Sequence, residues 1–490
     1  MMNQPPLDDP NADASSTAIS AQPLPFAIPP AASEPALPLP SWRLVIALAL
    51  PVLAQQGLHF VVLMSDRFLA GQLADTSVQA AQTTAHYVAW FINCYTVLVT
   101  VGSTALVARC VGAGDRRLAI EVTHQALLLA FVLGSVASLW AALGGIRWMV
   151  EMLNLTGPAA DYAVEFLLVL FGCIVFQIVE VTGIACLTGA GDTRTGMWIM
   201  IGVAAVNVPL AWFFGWIVGL GFIGIAIGTA LSHTLGGTAI IVVLARGRFG
   251  LQLEPRLFWP RFDLLYRLLR ISVPAGFDSL SIVVGQFWFL ALVNELGTIA
   301  SSAHGIALAW EALGYLSGAA FGTAAMTLVG QNLGANRPDQ AARAAWMACG
   351  LACGVMSLMA VILFTFAPTM FWVFCQKNDQ QPIIDLGVPV LRLVAFAMPP
   401  LASTIVFSYA LRGAGDTRVP ILFTLIGFFA VRIPLAYLLA FNNFSITVAM
   451  YEFRVDGLLG CWLAMFADLF VRGLFFIVRF ARGAWQRQQV

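Results

Sequence analysis

Charge is what this 490-residue chain has least of. Asp, Glu, Lys and Arg make up 10% of it, where an ordinary soluble protein has about 25%. The few charges cancel to a net of zero, so nothing favours nucleic acid as a partner. No GxxxxGK[ST] loop is present, which excludes the common phosphate cradle of nucleotide-driven machines. The first 40 residues lack a basic start followed by an apolar core, so no secretory signal peptide is expected. The five His show no metal-ligand spacing, and no His or second Cys pair completes a site around Cys349 and Cys353. Neither a metal nor an organic cofactor is expected, and no catalytic constellation suggests an enzyme.

What is present is apolar length. Hydrophobic residues form 60% of the chain, in runs that commonly reach the 20 or so residues a spanning helix needs. The sequence predicts an all-α integral membrane protein with twelve transmembrane helices near 42–70, 80–108, 118–144, 161–187, 196–218, 222–245, 270–294, 303–330, 342–368, 386–411, 419–440 and 457–480. Residues 1–41 read as a disordered, Pro- and Ala-rich cytosolic tail. An N-terminal six-helix lobe follows at 42–245, then an Arg-rich cytosolic linker at 246–269. A C-terminal six-helix lobe occupies 270–482 and a short cytosolic tail 483–490.

The two lobes repeat. LTGAGDTRTG from Leu187 recurs as LRGAGDTRVP from Leu411, and VNVPLA from Val206 recurs as VRIPLA from Val431. VGAGDRR at Val111 recurs more loosely as LGANRP at Leu333, Pro51 matches Pro274, and Ala80 matches Ala303, all at offsets of 222 to 225. Six spans per half make both halves enter from one side. They are therefore pseudo-symmetric parallel repeats about an axis along the membrane normal, an arrangement that transporters reuse. Arg residues gather in the even-numbered loops and beyond the last span, which puts those loops and both termini in the cytosol. A multi-pass protein of the inner (plasma) membrane is expected, with lipid around it and no obligate protein partner.

One stretch carries a charge where charge is costly. From Pro51 to Gly71 the chain reads PVLAQQGLHFVVLMSDRFLAG. Asp66 lies roughly 22 Å beyond Pro51 along a helix, in the far half of a bilayer core of about 30 Å. Such a carboxylate is neutralised, paired or turned to a wet cavity. Either it couples transport to an ion, or it pairs permanently with Arg67; adjacent helical residues, however, do not face each other.

The paired GAGDTR turns, the two halves and the Pro51–Asp66–Gly71 spacing resemble the multidrug and toxic compound extrusion (MATE) family, over about residues 42–480. That resemblance implies two six-helix lobes around a cavity that opens alternately to each side. It also implies secondary antiport, which exports small amphipathic, often cationic organic compounds in exchange for protons or sodium. Asp66 matches the family's first-helix acid. In one branch an Asn on helix five, an Asp four residues later and a Thr on helix six surround that acid. Asn207 and Thr229 match, but Ala211 stands at the second Asp. The helix-seven and helix-ten acids of another branch fall on Ile282 and Leu401. With one carboxylate left, a proton is the expected coupling ion ahead of sodium, since a hard cation wants several oxygen ligands.

Other polar residues inside the spans have open readings. Glu180, Glu311 and His59 are candidates for the cavity or for a proton relay, with buried packing as the alternative. Asp278 reads as a solvated helix start. Arg432, Asp468 and Arg472 read as a structural ion pair. His86, His124, His233 and His304 read as packed polar residues. A flippase for a lipid-linked oligosaccharide is the rival function; its pyrophosphate substrate would call for several Arg or Lys in the central cavity, where intramembrane acids outnumber bases.

Overall fold

Glycines at matching places in the two halves set how closely the helices approach. The computed structural model describes residues 39–73, 76–153, 155–375, 380–442, 444–448, 451–455 and 457–488; the remainder of the predicted N-terminal tail and the last two residues of the predicted C-terminal tail lie outside them. The N-terminal half comprises α1 (Trp42–Gly71), α2 (Thr76–Gly112), α3 (Arg116–Trp140, continuing to Met152), α4 (Pro158–Gly172 and Ile174–Ala190), α5 (Thr193–Trp212) and α6 (Gly221–Ala245). The C-terminal half comprises α7 (Phe262–Glu295), α8 (Thr298–Gly334), α9 (Pro338–Trp372), α10 (Gln381–Gly413), α11 (Arg418–Phe441) and α12 (Gly457–Ala481). Counting the two pieces of α4 as one bent span gives twelve spans.

The repeat read from sequence is physical. A Cβ on Gly189 would stand 2.6 Å from the Thr104 carbonyl, and one on Gly413 would stand 2.4 Å from the Met326 carbonyl. These are the same helix pair, second against fourth, in each lobe. The GAGD turns repeat their chemistry as well. Gly191 and Gly415 take positive φ of 99° and 83°, a conformation glycine adopts without strain. The Asp that follows each then accepts from an Arg at or beyond the end of its own lobe's sixth helix: Asp192 from Arg248 at 3.1 Å, Asp416 from Arg479 at 2.6 Å. Asp192 also caps α5 through the Thr195 amide. In the looser repeat, Asn336 takes the positive φ that Gly114 takes in the first half.

The lobes are interleaved. Val45, Leu48 and Ala49 at the start of α1 belong to the apolar core of the C-terminal half. Leu264, Leu268, Ile271 and Ala275 at the start of α7 belong to the core of the N-terminal half. Each lobe's first helix thus begins in the other lobe. At the same end, α2 and α8 meet backbone to backbone. A Cβ on Gly112 would overlap the Gln331 carbonyl at 1.9 Å, and one on Gly334 would overlap the Arg109 carbonyl at 2.1 Å. Thr327 donates to the Thr188 carbonyl and Gln331 to the Gly189 carbonyl across this seam. The end that carries the even loops is sealed.

Several details differ from the sequence reading. The seventh helix starts at Phe262, so the last third of the predicted linker is helical. What remains of the linker is tied to α3: His124 Nε2 accepts from the Glu254 amide, and Arg261 pairs with Glu121. The fourth span bends by 53° at Cys173, with no proline there to announce it. A two-stranded hairpin, β1 (Phe444–Val448) and β2 (Tyr451–Val455), lies in the connection between α11 and α12. Large apolar side chains such as Leu143, Trp198 and Leu358 lie exposed on the outer surface, which suits a hydrocarbon solvent rather than water.

Candidate functional site

α1 carries Asp66 inward and turns its neighbour away. Asp66 is 5% exposed, while Arg67 faces outward and makes no ion pair with it among the described residues. Asp66 Oδ2 accepts a hydrogen bond of 2.6 Å from Thr229 Oγ1 on α6. Asn207 on α5 donates to that same Thr229 oxygen at 3.0 Å. Three helices thus bring Asp66, Thr229 and Asn207 into one chain of hydrogen bonds. It is incomplete: Asp66 Oδ1 and Asn207 Oδ1 are both buried acceptors with no partner. A buried acceptor without a donor costs about 1–3 kcal/mol, and a proton or a cation is the partner such atoms lack.

The oxygen set bears on which ion this place could hold. Thr229 is already engaged, and two lone side-chain oxygens are few for a sodium ion. The place where a second carboxylate could have stood is packed shut. Ala211 is fully buried, and a Cβ on Gly228 would lie 2.4 Å from the Ala211 nitrogen. A proton needs one oxygen and no coordination shell.

A second cluster adjoins this one. His233 is one turn beyond Thr229 on α6, and its Nδ1 lies 2.9 Å from Glu180 Oε2 on α4. Across from it on α1 is His59, two turns before Asp66, with ring centroids 6.3 Å apart. Glu180 and His59 therefore do lie beside the Asp66 group, linked through His233. The sequence favours packing over proton carrying for His233, although its spacing of four from Thr229 puts both on one helix face.

Glu311 belongs elsewhere. It is half-buried on α8, within electrostatic reach of Arg432 and Arg472. Those arginines close on Asp468 as the sequence suggested: Arg472 binds it through two bonds of 2.7 Å, and Arg432 Nε adds one of 2.9 Å. The Phe428 ring sits against both guanidiniums, at 4.1 and 4.9 Å. Asp278 corrects the expectation of a wet helix start. It is buried in an ion pair with Arg412 of α10, because α7 begins well before Pro274 and carries Asp278 further into the bundle.

Aromatic residues gather between the lobes. Tyr87, Trp90 and Phe91 of α2 surround Phe287 of α7 at centroid distances of 5.4, 6.2 and 6.1 Å. Faces of this kind attract flat cations through their ring quadrupoles. Among the described residues no group of His, Cys, Asp and Glu is arranged to hold a metal.

Comparison with known proteins agrees with this architecture. A family model described as MatE matches residues 51–213 and 274–438, one block in each lobe. The chain is 26% identical over 455 residues to the probable multidrug resistance protein NorM of Thermotoga maritima, covering 91% of this chain and 93% of that one. It is also 26% identical to the multidrug resistance protein MdtK of Proteus mirabilis, covering 82% and 89%. An outward-facing multidrug resistance MATE transporter superposes with a TM-score of 0.81 at 20% identity, over 90% of this chain and 96% of its own. A transporter from Pyrococcus furiosus, described as having a binding pocket of reverse polarity, gives 0.83 at 20% identity, over 91% and 97%.

Proposed function

The chain belongs to the MatE family, and on that footing we propose that it is an antiporter exporting small amphipathic organic cations across the inner membrane in exchange for protons. The observation that carries the reading is the orphaned oxygen pair, Asp66 Oδ1 and Asn207 Oδ1, beside Thr229. With the even loops cytosolic, as their arginines favour, the sealed end is the inner one. Asp66 then takes a proton from outside. Rocking of the lobes opens the seam between α2 and α8, the proton leaves inward, and a cationic substrate takes its place on the carboxylate. Thr229 and Asn207 orient the carboxylate throughout. The multidrug resistance functions named for the relatives and the aromatic wall between the lobes support the substrate class.

Flipping a lipid-linked oligosaccharide is disfavoured. Arg412, Arg432 and Arg472 are buried and already paired with acids, leaving a pyrophosphate little to bind. Asp66→Asn tests the proposal. The amide keeps the shape and loses the exchangeable proton, so efflux of a fluorescent cation falls to background at unchanged protein level and melting temperature. Wild-type efflux in the mutant would assign Asp66 to structure.

A further inference from the structure

Among the described residues, every buried ion pair but one in this membrane domain uses arginine. Asp278 pairs with Arg412, and Asp468 with Arg432 and Arg472. A guanidinium does not give up its proton in a protein, so these charges are permanent. The exception is Glu180–His233, whose base is an imidazole, a group that can give up its proton.

The pair is built into the Asp66 site. His233 shares a helix face with Thr229, the residue that donates to Asp66. Gly236 leaves room for the acid: a Cβ there would stand 2.6 Å from the Glu180 carboxyl carbon. The titratable groups brought to the pair are Asp66 and His59, both from α1. α5 brings Val203, against Gly236, and Asn207, through Thr229, neither of which titrates.

We propose that Glu180 and His233 are a second proton-exchanging unit, so that the N-terminal lobe takes a dication in exchange for two protons. This rests on the proton reading of Asp66. The charges balance at each end of the exchange. Loaded with protons, the site holds neutral Asp66 and a Glu180 carboxylate paired with the His233 imidazolium, for a net charge of zero. When an organic dication enters, the Asp66 proton and the imidazolium proton leave. Two carboxylates then face two positive charges, and the net is again zero. A monocation displaces the Asp66 proton alone and leaves the Glu180–His233 pair as it was.

Counting protons tests this. Purified full-length protein in detergent and weak buffer at neutral pH, with an indicator dye, is titrated with tetraphenylphosphonium, a permanent monocation, and decamethonium, a permanent dication. Neither probe carries a proton of its own. The expected release is one proton per tetraphenylphosphonium bound and two per decamethonium. Glu180→Gln brings the decamethonium count down to one and leaves the other at one. One proton for both probes in the wild type, no binding of decamethonium, or a count of two that survives Glu180→Gln would each overturn the proposal. The first two of these need no variant that folds. No release with either probe would instead remove the proton reading of Asp66, a distinguishable failure.

Discussion

Where helix five of the N-terminal lobe carries Asn207, helix eleven of the C-terminal lobe carries Arg432, in the paired sequences VNVPLA and VRIPLA. Where helix one carries Asp66, the matching position on helix seven is Phe289, and the Arg432 guanidinium lies 5.7 Å from its ring. Gly224 and Gly460 are each the fourth residue of their lobe's sixth helix and touch the preceding helix alike. From that register, Gly236, which makes room for Glu180, is replaced by Arg472. Two copies of one helical frame thus hold opposite chemistry. The first keeps Asp66 and Glu180 among threonine, asparagine and histidine, partners that would let a proton leave on the mechanism proposed above. The second binds its carboxylate, Asp468, to two cations that cannot be discharged. The frame positions charge, and the partner decides whether that charge can work.

The contrast can be broken at either acid. Asp66→Asn is expected to remove transport without loss of stability. Asp468→Asn should do the reverse. Taking one member from a buried ion cluster costs about 3–5 kcal/mol, so the variant melts well below wild type or fails to accumulate. A smaller effect follows from Asn207→Ala, which removes the donor to Thr229 and one orphaned oxygen. At about 1–3 kcal/mol for a buried polar partner, export should weaken roughly 5- to 150-fold but persist. Read by labelling instead of by transport is a change at the seam, where the lobes are alike. Gly334→Ala places a methyl against the Arg109 carbonyl and should loosen the even-loop end. Maleimide would then label the buried Cys110 faster than in wild type. Gly350→Ala, with nothing near its Cβ, should leave that rate unchanged.

Much of this arrangement was legible before any coordinates. The spans follow from apolar length, and the repeat follows from landmarks that glycine and proline geometry keeps in place. Asp66, Thr229 and Asn207 were found together through resemblance, not spacing, since they lie on three helices far apart in sequence. The start of α7 was hidden because Asp263, Arg267 and Arg270 make its first turns read as linker. The bend in α4 was hidden because Gly172 and Cys173 look like any small pair inside a span. Partnerships were least legible. Asp278 and Arg412 are 134 residues apart, and Glu180 and His233 are 53 apart. Only packing brings such pairs together, and no local pattern records it.

On the mechanism proposed above, one carboxylate with too few oxygens around it works on protons. Protein reconstituted in vesicles, loaded with a fluorescent cation and given a single gradient at a time, measures that directly. An imposed pH gradient with sodium equal on both sides should drive transport, and Asp66→Asn should not respond. Transport driven by a sodium gradient at clamped pH, with no response to a pH gradient, would contradict the account.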